Sequence, residues 1–435
     1  MNWSRIDRQS YPVQLRRAIA EWLPTRGLPL MAAHRWADRL LAITMLLMVF
    51  SAQSTLKDRF REARDAVVKM YETRKRPGTS FAGFMNMLKR HSERLLALIT
   101  GDLRRTLPER LGTQWLIGKW LAFGVDGTKM DCPRTKANQK RFKNGGKKKS
   151  GPQLLLVCLI HLGSGLLWSW RQAGARGSEP GLLRQLLVDL PKNAMLVADA
   201  GFVGYDLLAT ILGQGHWILI RVGANVRLLQ QLGYAVRECD GMVYLWPDQF
   251  RLKGRRPLVL RMIVAVDGRN RRMCLLTNVL STRELSDAQA IKLYERRWGM
   301  ELFYRGLKQT LQRRKMLSDS PAHARVELDW SVLGQWLISL LLWRNQKQKM
   351  PVHEGLAQTL RIVREALRGG GDLRRNFKAQ LQAIGPDDYV RASSKKARSW
   401  PHKKNDPPCR TPHLRMANET ERRCAKRLII KNCDA

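Results

Sequence analysis

The chain has 435 residues, 44% hydrophobic and 26% charged, which makes it a globular protein able to bury one large core or two to three domains. Lysine and arginine number 78 against 36 acids, a formal charge of +42, and self-repulsion on that scale is tolerable only where a polyanion neutralises it. Nucleic acid is the expected partner. An anionic membrane fits less well, because the basic residues are spread along the chain and the longest apolar runs, 40–52 and 330–343, fall short of the roughly 18–20 residues a bilayer span needs.

The amino terminus MNWSRIDRQSYPVQLRR has no apolar signal core, so the expected location is the cytoplasm. Seven cysteines stand far apart, at 132, 158, 239, 274, 409, 424 and 433, with no CxxC pair, and are expected to be reduced.

In chain order, residues 1–115 read as a helical DNA-binding domain. Amphipathic segments fall near 33–50, 54–75 and 80–105, with Ser80 as a helix cap. From 116 the pattern changes to short apolar runs bounded by Gly, Pro and Asn. WLAFGVD, LLLVCLIHLG and LLWSWRQAG predict three strands, followed by helix GLLRQLLVDL, strand NAMLVAD, helix YDLLATILGQ and strand HWILIRVG. The order β-β-β-α-β-α-β predicts an α/β domain on a mixed sheet flanked by helices, its first part spanning 116–223. Residues 224–288 read as a β-rich insertion, and 289–345 return to the core through a helix that Ser286 and Gln289 open as a capping box. The remainder, 346–435, is helical and then basic. Its last 45 residues carry 13 Lys or Arg and 4 acids, which predicts a tail disordered without DNA.

Within YERRWGMELFYRGLK (294–308), Tyr294, Arg297, Glu301 and Lys308 fall on an arc about 60° wide if the helix is continuous. Apolar residues flank this polar strip on both sides. Taken alone, Arg297 and Glu301 also read as an ordinary i,i+4 surface pair. Two more acids end apolar runs, Asp126 in LAFGVD and Asp199 in NAMLVAD. Each either caps the following turn or binds something positive. If Glu301 joins them, three carboxylates converge at one sheet edge, a set of hard oxygen donors suited to Mg2+ or Mn2+. Two such ions, about 3.5–4 Å apart, can activate a hydroxyl and stabilise the leaving oxygen of a phosphodiester. Arg297 and Lys308 would then grip phosphates, and Tyr294 would donate a hydrogen bond or pack on a sugar or base. The basic run 134–149, which includes Lys147, Lys148 and Lys149, lies where a phosphate backbone would pass.

On these residues the chain resembles the bacterial DDE transposases of the insertion-sequence-four family. The pattern Y-x2-R-x3-E-x6-K is met by Tyr294, Arg297, Glu301 and Lys308, and the two acids stand in VDGT (Asp126) and DAGF (Asp199). The resemblance covers about 116–345. It implies a ribonuclease-H-like catalytic core interrupted by a β-rich insertion, with Asp126, Asp199 and Glu301 as catalytic metal ligands. It also implies a dimer bridging double-stranded transposon ends and target DNA in the cytoplasm, at the nucleoid. Family members that form a DNA hairpin flip a base onto an aromatic residue of the insertion; Trp246 is the counterpart here, with Trp217 and Trp298 as rivals. Two other readings share these residues: a ribonuclease-H-like nuclease that cuts without joining, and a DNA-binding relic without catalysis.

Overall fold

The computed structural model describes residues 35–71, 76–145, 151–222, 235–236, 242–245, 248–266, 272–346, 354–368 and 377–385, and single positions or short pieces at 15–16, 18–20, 23, 27–29, 419 and 423. Lys147, Lys148, Lys149, Trp246 and nearly all of the basic tail lie outside the described residues.

Three helices come first: α1 (Asp38–Phe50), α2 (Leu56–Met70) and α3 (Phe81–Leu111). Every residue of α1 from Leu40 onward is buried, which is how a helix apolar on all sides must sit. Thr55 and Ser80 cap α2 and α3 by accepting from the amides of Asp58 and Gly83. The carbonyls that end α1 are taken by distant arginines: Arg313 donates to Val49 O at 3.0 Å and Arg364 to Phe50 O at 2.8 Å.

The sheet follows with β1 (Ala122–Asp131), helix α4 (Lys136–Phe142), β2 (Gln153–His161), β3 (Leu167–Gly174), α5 (Glu179–Leu186), β4 (Met195–Ala198), α6 (Tyr205–Gly213) and β5 (Trp217–Val222). Strands β6 (Ala235–Val236), β7 (Met242–Leu245), β8 (Leu258–Val266) and β9 (Arg272–Thr277) come from the insertion. The spatial order is β3-β2-β1-β4-β5-β9-β8-β7-β6. Strands β1 to β3 form an antiparallel meander, and β4 and β5 run parallel to β1 with helices between them, the ribonuclease-H-like arrangement. The insertion strands are no separate layer. Strand β9 pairs antiparallel with β5, from Leu219 opposite Thr277 to Val222 opposite Cys274, and so lengthens the same sheet.

After the sheet come α7 (Asp287–Glu295), α8 (Trp298–Arg305), a π-helical turn (Gly306–Thr310), α9 (Pro321–Asn345), α10 (Leu356–Leu367) and α11 (Phe377–Gln382). Ser286 and Gln289 form the expected capping box on α7. Helix α9 is buried along most of its length and ties the parts together. Trp330 donates to Ser92 of α3 at 2.9 Å, and Trp170 of β3 donates to Asp329 at 2.8 Å. The α1–α3 helices therefore share one hydrophobic core with α9 and one face of the sheet, while α7 covers the other face over Ala122, Met195, Val197 and Leu219.

The stretch 294–308 is not the single helix that the arc assumed. Three i,i+3 hydrogen bonds tighten the chain between α7 and α8: Arg297 N to Tyr294 O, Gly299 N to Arg296 O and Met300 N to Arg297 O, at 2.9, 3.0 and 2.9 Å. At the far end, the buried Gln335 donates to Phe303 O at 2.7 Å, a carbonyl that also accepts from Gly306 N. The next turn widens to the π form, closed by Leu311 N to Gly306 O. Gly306 leaves the room this needs, because a Cβ there would lie 2.5 Å from Leu356 and 2.9 Å from Gln335. Among the described residues, no helix is long and apolar enough to cross a membrane.

Candidate active site

The two aspartates stand where neighbouring strands differ in length. Asp126 does not end its strand, as its place before Gly127 suggested. Strand β1 continues to Asp131 because β2 pairs with it throughout, Asp126 opposite Cys158 and Asp131 opposite Gln153. Strand β4 stops earlier, its last pairing with β1 being Gly124 with Val197. Asp126 thus sits just where β1 outruns β4, beside Asp199, the residue that follows β4. Asp199 also serves the next turn, as the local reading allowed: it caps the 3-10 turn Ala200–Phe202 by accepting from Gly201 N at 2.9 Å.

Asp126 is held from several sides. Its Oδ1 accepts from Gly127 N at 2.8 Å, and its carbonyl accepts from the Tyr304 hydroxyl at 2.6 Å. Tyr304, buried on α8, also accepts from Cys158 N at 3.2 Å and so pins α8 across β1 and β2. Burial pushes the Asp126 carboxyl above the usual aspartate range; the Gly127 amide and Arg297 pull it down, and Asp199 and Glu301 push it up.

Arg297 lies between the acids of β1 and α8. Its Nη1 is 3.9 Å from Asp126 Oδ2, and its Nη2 donates to Glu301 Oε1 at 3.3 Å. The guanidinium lies over the Tyr294 ring, 5.6 Å from the centroid. Tyr294 is only 6% exposed, and among the described residues its hydroxyl and Arg297 Nε lack a hydrogen bond of good geometry, the Arg297 guanidinium being the hydroxyl's polar neighbour. Buried donors without such a bond are costly and point to something that arrives from outside. Burial raises the Tyr294 hydroxyl pKa, with the Arg297 charge pulling the other way. On the π turn, Lys308 Nζ donates to Thr128 Oγ1 at 2.5 Å, and burial lowers its pKa.

Despite the broken helix, then, Tyr294, Arg297, Glu301 and Lys308 all face the segment of β1 around Asp126. Two further contributors escaped the sequence reading. Tyr304 lies three residues past Glu301, one helical turn, and was legible only as part of the apolar flank. Glu179, in the first turn of α5, lies against Gly127 and Gly201, where an added Cβ would meet its carboxylate; burial raises its pKa, and Asp126 and Asp199 add to that, and nothing in SEPG foretold this. Of the aromatic candidates, Trp298 is 52% exposed beside Arg297, and Trp217 is half-buried in β5, edge-on to Trp120.

Among the described residues, no three His, Cys, Asp or Glu side chains already converge tightly enough to hold a metal ion. The donor set nevertheless fits a hard divalent cation. It consists of carboxylates alone, Asp199 and Glu301 add to the burial that raises the Asp126 pKa, and the positive charge between Asp126 and Glu301 is the Arg297 guanidinium.

A ribonuclease-H-like sheet with one acid in β1 where β4 stops, a second just past β4 and a third on a facing helix defines a class of nucleic-acid-processing proteins. Residues 122–334 match the family model of the transposase DDE domain. The chain is 29% identical over 240 residues to the transposase InsG for insertion sequence element IS4 of Escherichia coli (strain K12). The match covers 53% of this chain and 52% of that protein, so the chain spans about half the length of this relative. The fold also overlays on the cryo-EM structure of the piggyBac transposase synaptic complex with hairpin DNA. That overlay has a TM-score of 0.41 and 12% identity, over 92% of this chain and 90% of that one.

Proposed function

We propose that this chain is a DNA transposase that excises a transposable element and joins its ends to target DNA, with Asp126, Asp199 and Glu301 holding two divalent cations, Mg2+ or Mn2+. The observation that supports the reading is Arg297 standing between Asp126 and Glu301, with Asp199 following the neighbouring strand beside Asp126, within the segment matched to the transposase DDE domain. When bound, the cations supply charge stabilisation for the phosphodiester under attack and lower the pKa of the attacking hydroxyl. In excision, water forms the new P–O bond and the 3′ oxygen leaves with a proton. In joining, that 3′-OH attacks a target phosphodiester, one P–O bond forming as another breaks.

The chain's own residues prepare this chemistry. Tyr304 fixes the main chain at Asp126 relative to the helix bearing Glu301. Arg297, beside Asp126 and Glu301, would offer its guanidinium to a phosphate beside the scissile bond, and the Tyr294 hydroxyl would donate to the same strand. Lys308, which donates to Thr128, provides a second positive charge beside β1. The formal charge of +42 suits a partner that is double-stranded DNA at element ends and at the target, bound in the cytoplasm at the nucleoid by a homodimer whose helical region 1–115 reads the ends.

The test is incubation of the purified protein with a plasmid carrying candidate element ends, with and without Mg2+, scoring excision and joining into a second DNA. Excision with joining that needs both Mg2+ and Glu301 is the expected result. Cleavage without joining would make the chain a nuclease, and cleavage by Glu301→Gln would sink the site assignment.

A further inference from the structure

On the side where β4 stops, β1 is paired up to Gly124 and is next met at Asp131. There the Asp131 amide donates to Arg314 O at 3.0 Å and its carbonyl accepts from Met316 N at 2.8 Å, a parallel bridge that sets Lys315 opposite Asp131. Paired residues share a face and their neighbours alternate. Arg314 therefore falls beside Met130 on the face that carries Thr128 and Asp126, and Lys315 falls on the other face with Asp131 and Lys129.

Arg313 fixes this arrangement. Its buried guanidinium donates to Ser331 Oγ, Leu311 O and Val49 O, each at 3.0 Å, and Gln312 before it holds a left-handed φ of 56°. Non-glycine residues rarely adopt that conformation, and it persists only where the surroundings over-determine it. Two adjacent arginines thus have opposite fates. Arg313 is locked inward, whereas Arg314 is exposed, and among the described residues its side chain takes no hydrogen bond and no ion pair.

The ordinary account of an exposed arginine in so basic a chain is a solvated surface charge. That account does not explain its neighbour. Lys308, half-buried on the same face, donates to Thr128 Oγ1 at 2.5 Å, and the Arg314 charge adds to the burial that lowers the Lys308 pKa, with Asp131 and Asp126 pulling the other way. Two cations held side by side, one of them partly desolvated, suit an anion that both can reach. Successive positions on one face of a strand lie about 6.6 Å apart, close to the spacing of neighbouring phosphates along one nucleic-acid strand. Asp126, Thr128 and Met130 therefore match three phosphates in a row.

We propose that Arg314 binds the second phosphate from the scissile one, with Lys308 on the phosphate between, so that one DNA strand runs along β1 from Asp126 toward Asp131. This rests on the reading of Asp126 as part of the cleavage site.

The test uses the full chain and a duplex carrying a candidate element end, with one methylphosphonate placed in turn at each phosphate flanking the cleavage point to remove its charge. Binding is read in EDTA, and cleavage of the unmodified duplex is read in Mg2+. In wild type, neutralising the second phosphate on one side of the cleavage point should weaken binding about tenfold. Arg314→Ala should already bind the unmodified duplex about tenfold more weakly, and the same neutralised phosphate should cost it nothing more. Lys315→Ala removes an equal charge from the opposite face and should bind and respond as wild type does. If Arg314→Ala still loses affinity at that phosphate, or if Lys315→Ala matches it, the proposal falls while cleavage by wild type leaves the site reading standing. If wild type cleaves no duplex in Mg2+, the site reading falls and takes the proposal with it.

Discussion

The Tyr304 hydroxyl donates to the main-chain carbonyl of Asp126 at 2.6 Å, so the helix carrying Glu301 is fastened to the strand carrying the first aspartate at the aspartate itself. The same oxygen accepts from Cys158 N, opposite Asp126 on β2. One buried phenol therefore sets the spacing between two of the three acids, although it touches neither carboxylate.

Tyr304→Phe should then cost stability and catalysis together. Two buried main-chain groups lose a partner, which amounts to about 1–3 kcal/mol by chemical denaturation. Cleavage of element ends should fall well beyond what the lost folded fraction explains, while end binding by the folded protein stays near wild type. Unchanged cleavage at full folding would show that the fastening does not matter.

Arg297 and Lys308 should separate by their salt dependence. Lys308→Ala removes a positive charge that reaches β1 at Thr128, and should weaken binding to any duplex, lowering the slope of log K against log salt by about one. Arg297→Ala should do this and more. It also frees Asp126 and Glu301 from their shared positive neighbour, so the metal-free protein should gain more in melting temperature on adding Mg2+ than wild type does. An equal Mg2+ shift in the two proteins would mean that Arg297 does not compensate the acids.

How far the sequence could be read follows from where each signal resides. The strand order was legible because apolar runs bounded by Gly and Pro are local, and Ser80, Ser286 and Gln289 announced their helices by capping chemistry that spans four residues. The convergence of Arg297 and Glu301 was legible from i,i+4 spacing. The break between α7 and α8 was not, because nothing in ERRWG forbids a helix. Nor was the π turn, since Gln335, which donates to the Phe303 carbonyl just before it, lies 32 residues on. Asp126 read as a strand end because its apolar run stops there, but the length of β1 is set by β2, which lies outside that window. Glu179 was invisible for the same reason: the glycines that admit it belong to two other elements.

Gly306→Ala tests whether the π turn places Lys308. The added Cβ would lie 2.9 Å from Gln335 Nε2, whose hydrogen bond to Phe303 O resists yielding. Overpacking there should cost about 1–3 kcal/mol. If the turn reverts to α-helix, Lys308 rotates away from Thr128, and binding should show the same reduced salt slope as Lys308→Ala. A stable variant with wild-type salt dependence would show that Lys308 does not depend on the turn.

Asp329 gives a pH signature remote from the acids of the site. It lies on α9 and accepts from Trp170 Nε1 at 2.8 Å. Burial raises its pKa to about 6, against the pull of hydrogen bonds from Trp170 and Gln172 and of the Arg325 and Arg171 charges. An acid whose folded pKa lies above its unfolded value of 3.8 binds more protons folded than unfolded between those two values. Its contribution to stability is therefore greatest in acid and is lost as pH rises from about 4 to about 6. Asp329→Asn keeps an acceptor for Trp170 and removes the charge. It should raise stability at pH 8 by about 3 kcal/mol, leave it nearly unchanged at pH 4, and flatten the decline between. Denaturation midpoints at the two pH values decide it, and a loss of stability at pH 8 would mean that the carboxylate's ion pairs outweigh its burial.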